Sequence, residues 1–284
     1  MSGILVLKLG GELIEAPADR ARIAAAAARI SRERPLVIVH GGGRAVDAAM
    51  ARQGIEPRKV DGLRVTDEAT LEVVTAVLRG VANTRLVAAL IGEGVSAVGL
   101  SGVDAGIAPA RRLSAHRTST GADVDLGLVG DPEAPDTSLL ELLLLNGHVP
   151  VIASLGIEAG AGPESWPVAT VLNVNADVMA CRIAAELGNA ELVIAGTTPG
   201  VLDAGGRTIP ELDLAGIDAA IDDATASAGM VAKLLSCRAA LAGGVARARI
   251  VDGRAIDAQA GVDRAPGTVL IAHSELPAAA RAGA

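Results

Sequence analysis

Short apolar runs alternate along the chain with segments in which apolar residues recur every three to four positions. The first pattern predicts buried strands and the second predicts amphipathic helices. Strands are predicted over residues 4–9, 36–40, 95–100, 149–154, 191–195, 248–251 and 268–271. Helices are predicted over residues 17–32, 45–52, 139–145 and 176–187, around Ile217 and Leu234, and from Thr66 or Asp67 to Leu90. The pattern favours an α/β fold, a three-layer αβα sandwich with a mainly parallel central sheet.

Two stretches depart from this alternation. Residues 104–130 lack a helical period and are rich in Gly, Ser and Thr, which predicts hairpins. Residues 156–171 are rich in Gly and Pro and indicate an irregular excursion. A second run of strands and helices begins after Val174, so we expect an N-terminal lobe over residues 1–174 and a C-terminal lobe over residues 175–284.

Charge and composition exclude several classes of protein. The 284 residues carry 25 Lys and Arg against 33 Asp and Glu, a formal net charge of −8, which disfavours nucleic-acid binding. We find no continuous apolar run of about 18 residues and no signal peptide, so we expect a cytoplasmic protein that does not enter a membrane. Cys181 and Cys237 are too few for a zinc site or a disulfide framework.

Lysine is rare in this chain. Of the 25 basic residues 22 are Arg, and the only lysines are Lys8, Lys59 and Lys233. A compact ammonium group and a planar guanidinium group are not interchangeable. The three lysines are therefore candidate functional cations, although chance survival would explain any one of them.

Two glycine clusters follow predicted strands. Gly10 and Gly11 come after Lys8, and a run of three glycines, 41–43, comes after His40. Glycine-rich turns between a strand and a helix expose N–H groups that bind anions. Neither cluster has the Walker A or the dinucleotide-binding spacing. Tight turns would explain one cluster, but two together indicate a phosphate or carboxylate site.

Other polar residues interrupt apolar patterns. Arg64 precedes a capped helix and could grip a carboxylate with two hydrogen bonds, or it could be a surface cation. Asn173 and Asp177 flank a helix start that Asn175 is placed to cap. His40 ends an apolar strand and is more easily explained as a packed core residue than as a ligand.

Six segments together carry a resemblance to a known family. They read VLKLGG at 6–11, PLVIVHGGG at 35–43, GLRVTD at 62–67, NVNAD at 173–177, PGVLD at 199–203 and GMVAK at 229–233. Because these six segments occur in this order over residues 4–271, the chain resembles the amino-acid kinase family. Within that family it resembles the branch that phosphorylates N-acetyl-L-glutamate in arginine biosynthesis. The resemblance implies the amino-acid kinase fold.

The resemblance also implies roles for individual residues. Lys8 and Lys233 would neutralise the transferring phosphoryl group, and Asp177 would organise the two lysines. The residues expected to bind the phosphoryl group or the acceptor are Gly11, Gly42, Gly43, Arg64 and Asn173. Those expected to border the adenine nucleotide are Thr197, Thr198, Pro199, Gly200, Val201, Leu202, Thr225, Ala226 and Ser227. Thr197 stands where the family usually has Asp, which bears on nucleotide affinity.

The implied reaction is ATP-dependent phosphorylation of the γ-carboxylate of N-acetyl-L-glutamate. Mg²⁺ would be carried by the ATP phosphates, with no metal ligands from the protein. The N-terminal lobe would bind the acceptor and form a homodimer, and the C-terminal lobe would bind ATP. In this family a helix ahead of the first strand joins dimers into hexamers and accompanies inhibition by arginine. Because the first strand is predicted from Ile4, we expect a homodimer that arginine does not inhibit.

Two other functions stay open on the sequence. One is the related kinase of carrier-protein-linked aminoadipate or glutamate in lysine biosynthesis. Its acidic carrier would need a basic rim, for which Arg111, Arg112 and Arg117 offer a few cations. The other is a non-catalytic module that binds an amino acid, which the presence of Lys8, Asp177 and Lys233 disfavours.

Overall fold

A computed structural model describes residues 3–118, 121–160, 170–222, 228–259 and 261–272 of the chain. Its strands are β1 (Ile4–Leu9), β2 (Leu36–His40), β3 (Lys59–Val60), β4 (Leu63–Arg64), β5 (Ala97–Ser101), β6 (Pro109–Arg112), β7 (His116–Arg117), β8 (Asp123–Val124), β9 (Val129–Pro132), β10 (Val149–Ala153), β11 (Leu155–Glu158), β12 (Val171–Val174), β13 (Ala190–Gly196), β14 (Glu211–Leu212), β15 (Arg247–Asp252) and β16 (Gly267–Leu270). The seven predicted strands all occur, with ends shifted by one or two residues.

The helices follow the predicted pattern closely. They are α1 (Pro17–Glu33), α2 (Gly43–Arg52), α3 (Glu68–Thr75), α4 (Asn83–Gly92), α5 (Ser138–Leu145), α6 (Ala176–Leu187), α7 (Leu214–Asp222) and α8 (Ala228–Ala242). A π-helical segment, Ala76–Ala82, joins α3 to α4, and the continuous "long helix" therefore runs over Glu68–Gly92. Asp67 rather than Thr66 caps it, because the Asp67 side chain accepts a hydrogen bond from the Thr70 N–H at 2.8 Å.

The main sheet has eight strands in the order β14-β16-β15-β13-β1-β2-β10-β5. The predicted mainly parallel sheet is confirmed, since β15 and β16 form its one antiparallel pair among the described strands. The sheet crosses the predicted lobe boundary at Val174, with four strands from each side. The division of acceptor and nucleotide binding between lobes stays a prediction.

Helices cover both faces of the sheet, which makes the three layers. On one face Leu5, Leu7 and Leu9 of β1 pack in a core shared with α1 and α4. On the other face Val6 packs in a core shared with α6 and α8. Because strand side chains alternate between faces, Lys8 lies on the same face as Val6. The first lysine therefore projects toward the helices that carry Asp177 and Lys233.

A four-stranded barrel, β11-β12-β9-β6, sits beside the main sheet with the β3–β4 and β7–β8 hairpins. The prediction of hairpins over residues 104–130 is confirmed by the antiparallel β6–β9 and β7–β8 pairs. Within 156–171 the prediction missed strand β11 because Gly156 indicates a turn. Glycine is needed there because a Cβ would lie 2.8 Å from the Ala108 carbonyl oxygen. Residues 161–169 lie outside the described part of the chain.

The long helix bears on the expectation that the protein does not enter a membrane. It has 25 residues and contains an apolar 18-residue window with a mean hydropathy of 1.4, so it could span a bilayer by length and composition. In the folded chain, however, Leu86 and Leu90 are fully buried in the core shared with α1. The helix therefore packs against the folded domain through one face. Only 28% of the apolar window is buried.

Candidate active site

A cleft of about 860 Å³ opens at the carboxyl ends of β1 and β2. Its walls are formed by both glycine clusters, α2, the β3–β4 hairpin and the first turns of α6 and α8. Ligands of open α/β sheets bind at the carboxyl ends of the strands. The cleft contains all eight residues predicted to carry the chemistry or bind the acceptor: Lys8, Gly11, Gly42, Gly43, Arg64, Asn173, Asp177 and Lys233.

One carboxylate bridges two lysines in this cleft. Asp177 Oδ1 lies 2.8 Å from Lys8 Nζ, and its Oδ2 lies 3.0 Å from Lys233 Nζ. Asp177 and Lys8 are buried, with 8% and 7% of their surface exposed, while the Lys233 side chain is 24% exposed. Two cations and one anion leave an excess of one positive charge, which suits an anionic ligand.

Opposing effects act on the pKa of Asp177. Burial alone would raise this pKa, but the charges of Lys8 and Lys233 and their hydrogen bonds outweigh burial. The net result is a pKa below the ordinary value of 3.8. Asp177 is therefore ionised at neutral pH and holds the two ammonium groups close together.

The start of α6 fixes the position of Asp177. The Asn175 side chain accepts hydrogen bonds from the N–H groups of Asp177 at 2.8 Å and of Val178 at 3.3 Å. The predicted helix cap is thus confirmed. Asp177 also lies in the first helical turn, where the helix dipole favours a negative charge.

The two glycine loops touch each other across the cleft. A Cβ on Gly11 would lie 2.5 Å from the Gly42 Cα, so neither backbone leaves room for a side chain at this point. Helix α2 begins at Gly43, two residues earlier than predicted, and brings its N-terminus to the cleft. The loops therefore present backbone rather than side chains to a ligand.

Arg64 lines the cleft beside the second glycine loop. Its Nη2 donates to the Gly43 carbonyl at 3.1 Å and lies 2.5 Å from Asp47 Oδ1. Asp47 Oδ2 is in turn 2.7 Å from Lys59 Nζ. Burial would raise the pKa of Asp47, but hydrogen bonds and charge from Lys59 and Arg64 lower it overall. A second carboxylate therefore bridges two cations, as Asp177 does.

Asn173 lines the cleft and is bonded to the segment that carries Arg64. It is the third residue of β12, and its Nδ2 donates to Thr66 Oγ1 at 3.1 Å. Thr66 Oγ1 donates to the Arg64 carbonyl at 2.8 Å. These bonds join the β12 strand to the segment that carries Arg64, so the two predicted acceptor contacts are held in one network.

The residues predicted to border the adenine nucleotide lie outside the cleft or outside the described part of the chain. Thr197 to Leu202 follow β13 and do not line the cleft. Their backbone is held by neighbouring residues: Arg254 donates to the Thr197 carbonyl at 3.1 Å, and the Val201 N–H donates to Thr268 Oγ1 at 2.8 Å. Thr225, Ala226 and Ser227 lie outside the described residues. The nucleotide assignments stay predictions.

Some polar residues of the cleft were not predicted. They include Glu12, Asp61 and His116, and Lys59 lines the cleft with them. The scarcity of lysine had marked Lys59 as a candidate cation, but nothing in the pattern linked it to Arg64. Asp61 and His116 meet at 3.0 Å across two different hairpins, a contact that local sequence patterns do not reveal.

Comparison with known proteins shows the family of this chain. Residues 3–252 match the amino acid kinase family, a family of phosphotransferases, and the chain belongs to this family. It is 42% identical to the acetylglutamate kinase of Geotalea daltonii over 77% of this chain and 73% of that protein. It is 38% identical to the acetylglutamate kinase of Chloroflexus aurantiacus over 89% of this chain and 93% of that protein.

Solved structures show the same fold. N-acetylglutamate synthase from Neisseria gonorrhoeae, complexed with coenzyme A and N-acetyl-glutamate, aligns with a TM-score of 0.79 at 25% identity. The alignment covers 96% of this chain and 60% of that longer one. Carbamate kinase from Giardia lamblia bound to AMP-PNP aligns with a TM-score of 0.65 at 17% identity, over 96% of this chain and all of that one.

Proposed function

We propose that this protein is an ATP-dependent kinase that phosphorylates the γ-carboxylate of N-acetyl-L-glutamate, the second step of arginine biosynthesis. The observation that carries the proposal is the buried Asp177 that bridges Lys8 and Lys233 beside two touching glycine loops. The acetylglutamate kinases to which the chain is similar support the choice of acceptor.

The arrangement fits a reaction between two anions. A carboxylate with an ordinary pKa near 4.3 is already ionised at pH 7, so the acceptor needs no general base. The difficulty is the approach of this carboxylate to the charged γ-phosphoryl group. Two ammonium groups and the N–H groups of the glycine loops would stabilise the negative charge on the transferring group. Positioning and charge then account for catalysis.

The acceptor would bind between the loops and Arg64. The buried guanidinium group of Arg64, which lines the cleft, would hold the α-carboxylate, and Asn173 would contact the same molecule. Gly11, Gly42 and Gly43 would donate N–H groups to the phosphoryl group or the acceptor carboxylate. This places the γ-carboxylate near Lys8.

ATP would approach from the side of Lys233 and α8. Thr197 to Leu202 and Thr225 to Ser227 would border the adenine nucleotide. Among the described residues no group of three or more His, Cys, Asp or Glu side chains is arranged to hold a metal ion. Mg²⁺ would be carried by the ATP phosphates, where it would offset their charge.

The rim of the cleft disfavours a carrier-protein substrate. Arg111 lies 3.5 Å from Asp131, and Arg117 lies 3.1 Å from Asp123. Arg112 donates to the Gly127 carbonyl at 3.0 Å. Two of the three candidate cations are thus paired with carboxylates, and an acidic carrier would find no strongly basic surface there.

The long helix supports assembly as a homodimer, and a biosynthetic kinase of this kind would act in the cytoplasm. Val81 and Ile91 are 45% and 57% exposed on this apolar helix. Strand β5, which follows it, is an edge of the main sheet with three partly exposed residues, Ala97, Val98 and Gly99. A second copy would cover both the helix face and the open edge.

A panel of acceptors tests the proposed reaction. ADP release would be measured with MgATP and N-acetyl-L-glutamate, L-glutamate, N-acetyl-L-aspartate or carbamate. We expect release with N-acetyl-L-glutamate at least roughly tenfold faster than with any other acceptor, because hydrogen-bonding sites reject ligands that lack their partner groups. Faster release with carbamate or free glutamate would refute the proposed acceptor.

A further inference from the structure

His40 lies directly behind the second glycine loop and has no role in the reaction described above. It is the last residue of β2, it is fully buried, and it does not line the cleft. Its two ring nitrogens have different partners: Nδ1 lies 3.1 Å from the Gly41 carbonyl oxygen, and Nε2 lies 3.0 Å from Asn83 Nδ2. The ring thus links the loop to the long helix.

These partners determine which nitrogen carries the proton. A carbonyl oxygen only accepts hydrogen bonds, so Nδ1 must donate to Gly41. The Asn83 Nδ2 group lies 2.8 Å from the Val151 carbonyl and 3.3 Å from the Leu100 carbonyl, which fixes its amide orientation. Its two shorter contacts are with Val151 and His40, so its two N–H groups donate to these and Nε2 accepts from Asn83. Both contacts require a neutral ring with its proton on Nδ1.

The charge state of the ring agrees with this assignment. Burial lowers the pKa of His40 to about 4, although the hydrogen bond to Gly41 opposes the effect. At neutral pH the imidazole is therefore uncharged. A protonated ring would also bring an Nε2–H group against the Asn83 N–H group.

The contact with Gly41 orients the next peptide group. In a trans peptide the carbonyl and the following N–H point in opposite directions. Since the Gly41 carbonyl faces the buried ring, the Gly42 N–H faces away from it, on the side where the loop lines the cleft. Among the described residues the Gly42 N–H has no protein acceptor.

The long helix holds the loop at a second point. A Cβ on Gly42 would lie 2.7 Å from Leu78 Cδ2, so Leu78 packs directly against the loop. Leu78 belongs to the π-helical segment, and Asn83 follows that segment immediately. π-Helical turns are rare and frequently occur at functional sites. Here the wider turn lies between two contacts of the long helix: Leu78 packs against Gly42, and Asn83 bonds His40 behind the same loop.

We propose that His40, held by Asn83 with its proton on Nδ1, is a positioning residue that aims the Gly42 N–H at the transferring phosphoryl group. This inference rests on the proposed kinase activity. It adds a link from the long helix to the reacting centre, and it assigns a function to a histidine that touches no substrate.

Three variants of the full-length protein separate positioning from packing. In His40→Asn the amide nitrogen can replace Nδ1 and donate to the Gly41 carbonyl. His40→Gln keeps a polar group near the Nε2 position only, and His40→Leu keeps neither. We expect kcat to fall by on the order of 10-fold to 100-fold in the Gln and Leu variants. The Asn variant should retain most of kcat, and the KM values for both substrates should change little.

Urea unfolding of the same variants provides the structural control. The proposal requires that kcat across the three variants depends on whether a hydrogen-bond donor remains at the Nδ1 position. It should not depend on the urea midpoint of unfolding. An Asn variant as slow as the Leu variant, or a Leu variant with normal kcat, would overturn it. Activity that simply follows stability across the three variants would also overturn it.

Nitrogen-15 NMR of the wild-type imidazoles tests the proton position without using activity. The chain has four histidines, and the signal lost in His40→Asn identifies His40. We expect a neutral ring with the Nδ1–H tautomer at pH 7. An imidazolium ring or the Nε2–H tautomer would refute the proposal. A wild-type protein without kinase activity would instead refute the proposed function, while the NMR result would still decide the tautomer.

Discussion

Asp177 contacts Lys8 and Lys233 from the first turn of α6, and each of these three residues comes from a different element. The strand β1 supplies Lys8 because its side chains alternate between the two faces of the sheet. The cap by Asn175 fixes where α6 begins and hence where Asp177 lies. The reacting centre thus follows from ordinary rules of strand and helix geometry applied to a few residues.

The lysines should matter most in the transition state. We predict that Lys8→Ala and Lys233→Ala each lower kcat by on the order of 10²-fold or more, with smaller changes in KM. Arg238→Ala is a matched control on the same helix as Lys233, since Arg238 pairs with Asp218 at 2.6 Å and lies outside the cleft. Steady-state kinetics should show near-normal kcat for the control. Near-normal kcat in both lysine variants would refute their assignment.

The ionised Asp177 should stabilise the fold in a pH-dependent way. Its folded-state pKa lies below 3.8, so its contribution to stability is present above that value and is lost as pH falls through the lower folded pKa. We predict that the difference in unfolding free energy between the wild type and Asp177→Asn decreases as pH falls from about 6 to about 3. Urea titrations at several pH values measure this difference. A difference that is constant or grows toward low pH would contradict the ion-pair account.

Arg64 should act on the acceptor rather than on ATP. We predict that Arg64→Lys raises KM for N-acetyl-L-glutamate roughly tenfold or more, because a two-pronged guanidinium becomes a single ammonium donor. The KM for ATP should change little. Arg111→Ala, an exposed rim arginine paired with Asp131, is the control. If Arg64→Lys weakens ATP instead, the acceptor end of the cleft is misassigned.

At the scale of elements, the glycine loops after β1 and β2 depend on each other. Gly11 and Gly42 meet through their backbones, so the shape of one loop limits the other. The sequence predicted both loops but not their contact, because it depends on the parallel pairing of β1 with β2. The same holds for Lys59 and Arg64, which are paired across the two-residue strands β3 and β4 and both reach Asp47.

Gly11→Ala tests the contact between the loops. The added methyl group would lie 2.5 Å from the Gly42 Cα, so one backbone segment must move. We predict a fall in kcat of roughly tenfold or more, since small displacements of catalytic groups are costly. Gly92→Ala is the control: Gly92 ends α4, and nothing lies within 4 Å of a Cβ there. Equal kcat values for both variants would argue against contact between the loops as a catalytic requirement.

For the whole molecule, the sequence predicted the layers and the parallel sheet but not the barrel. An apolar run such as residues 36–40 contains the whole signal for a buried strand within one short segment, so the sequence predicts it directly. Strands β11 and β12 form a barrel only with β6 and β9, which lie 20 to 60 residues earlier, and Gly156 at their start indicates a turn. Long-range partners of this kind leave no periodic signal in a single sequence.

The proposed homodimer is a property of the whole molecule. We predict that Val81→Glu and Ile91→Glu together convert a dimer to a monomer, because a charged group on an apolar interface loses its hydration. Light scattering in solution measures the molar mass. Leu145→Glu is the control, since Leu145 is 85% exposed on α5, and the buried Leu140 of α5 packs in a different core from Leu86 and Leu90 of the long helix. A wild-type monomer, or a double variant that stays dimeric, would refute this interface.

Trapping of the product tests the central claim most directly. Hydroxylamine attacks the acyl carbon of an acyl phosphate, releases phosphate and leaves a stable hydroxamate. With MgATP and N-acetyl-L-glutamate, we predict that the wild type forms the γ-hydroxamate in step with ADP. The Asp177→Asn variant, in which the two lysines lose their shared counter-charge, should form it on the order of 10²-fold more slowly. ADP release without hydroxamate, or equal rates in the two proteins, would contradict phosphoryl transfer to this carboxylate by the Lys8–Asp177–Lys233 group.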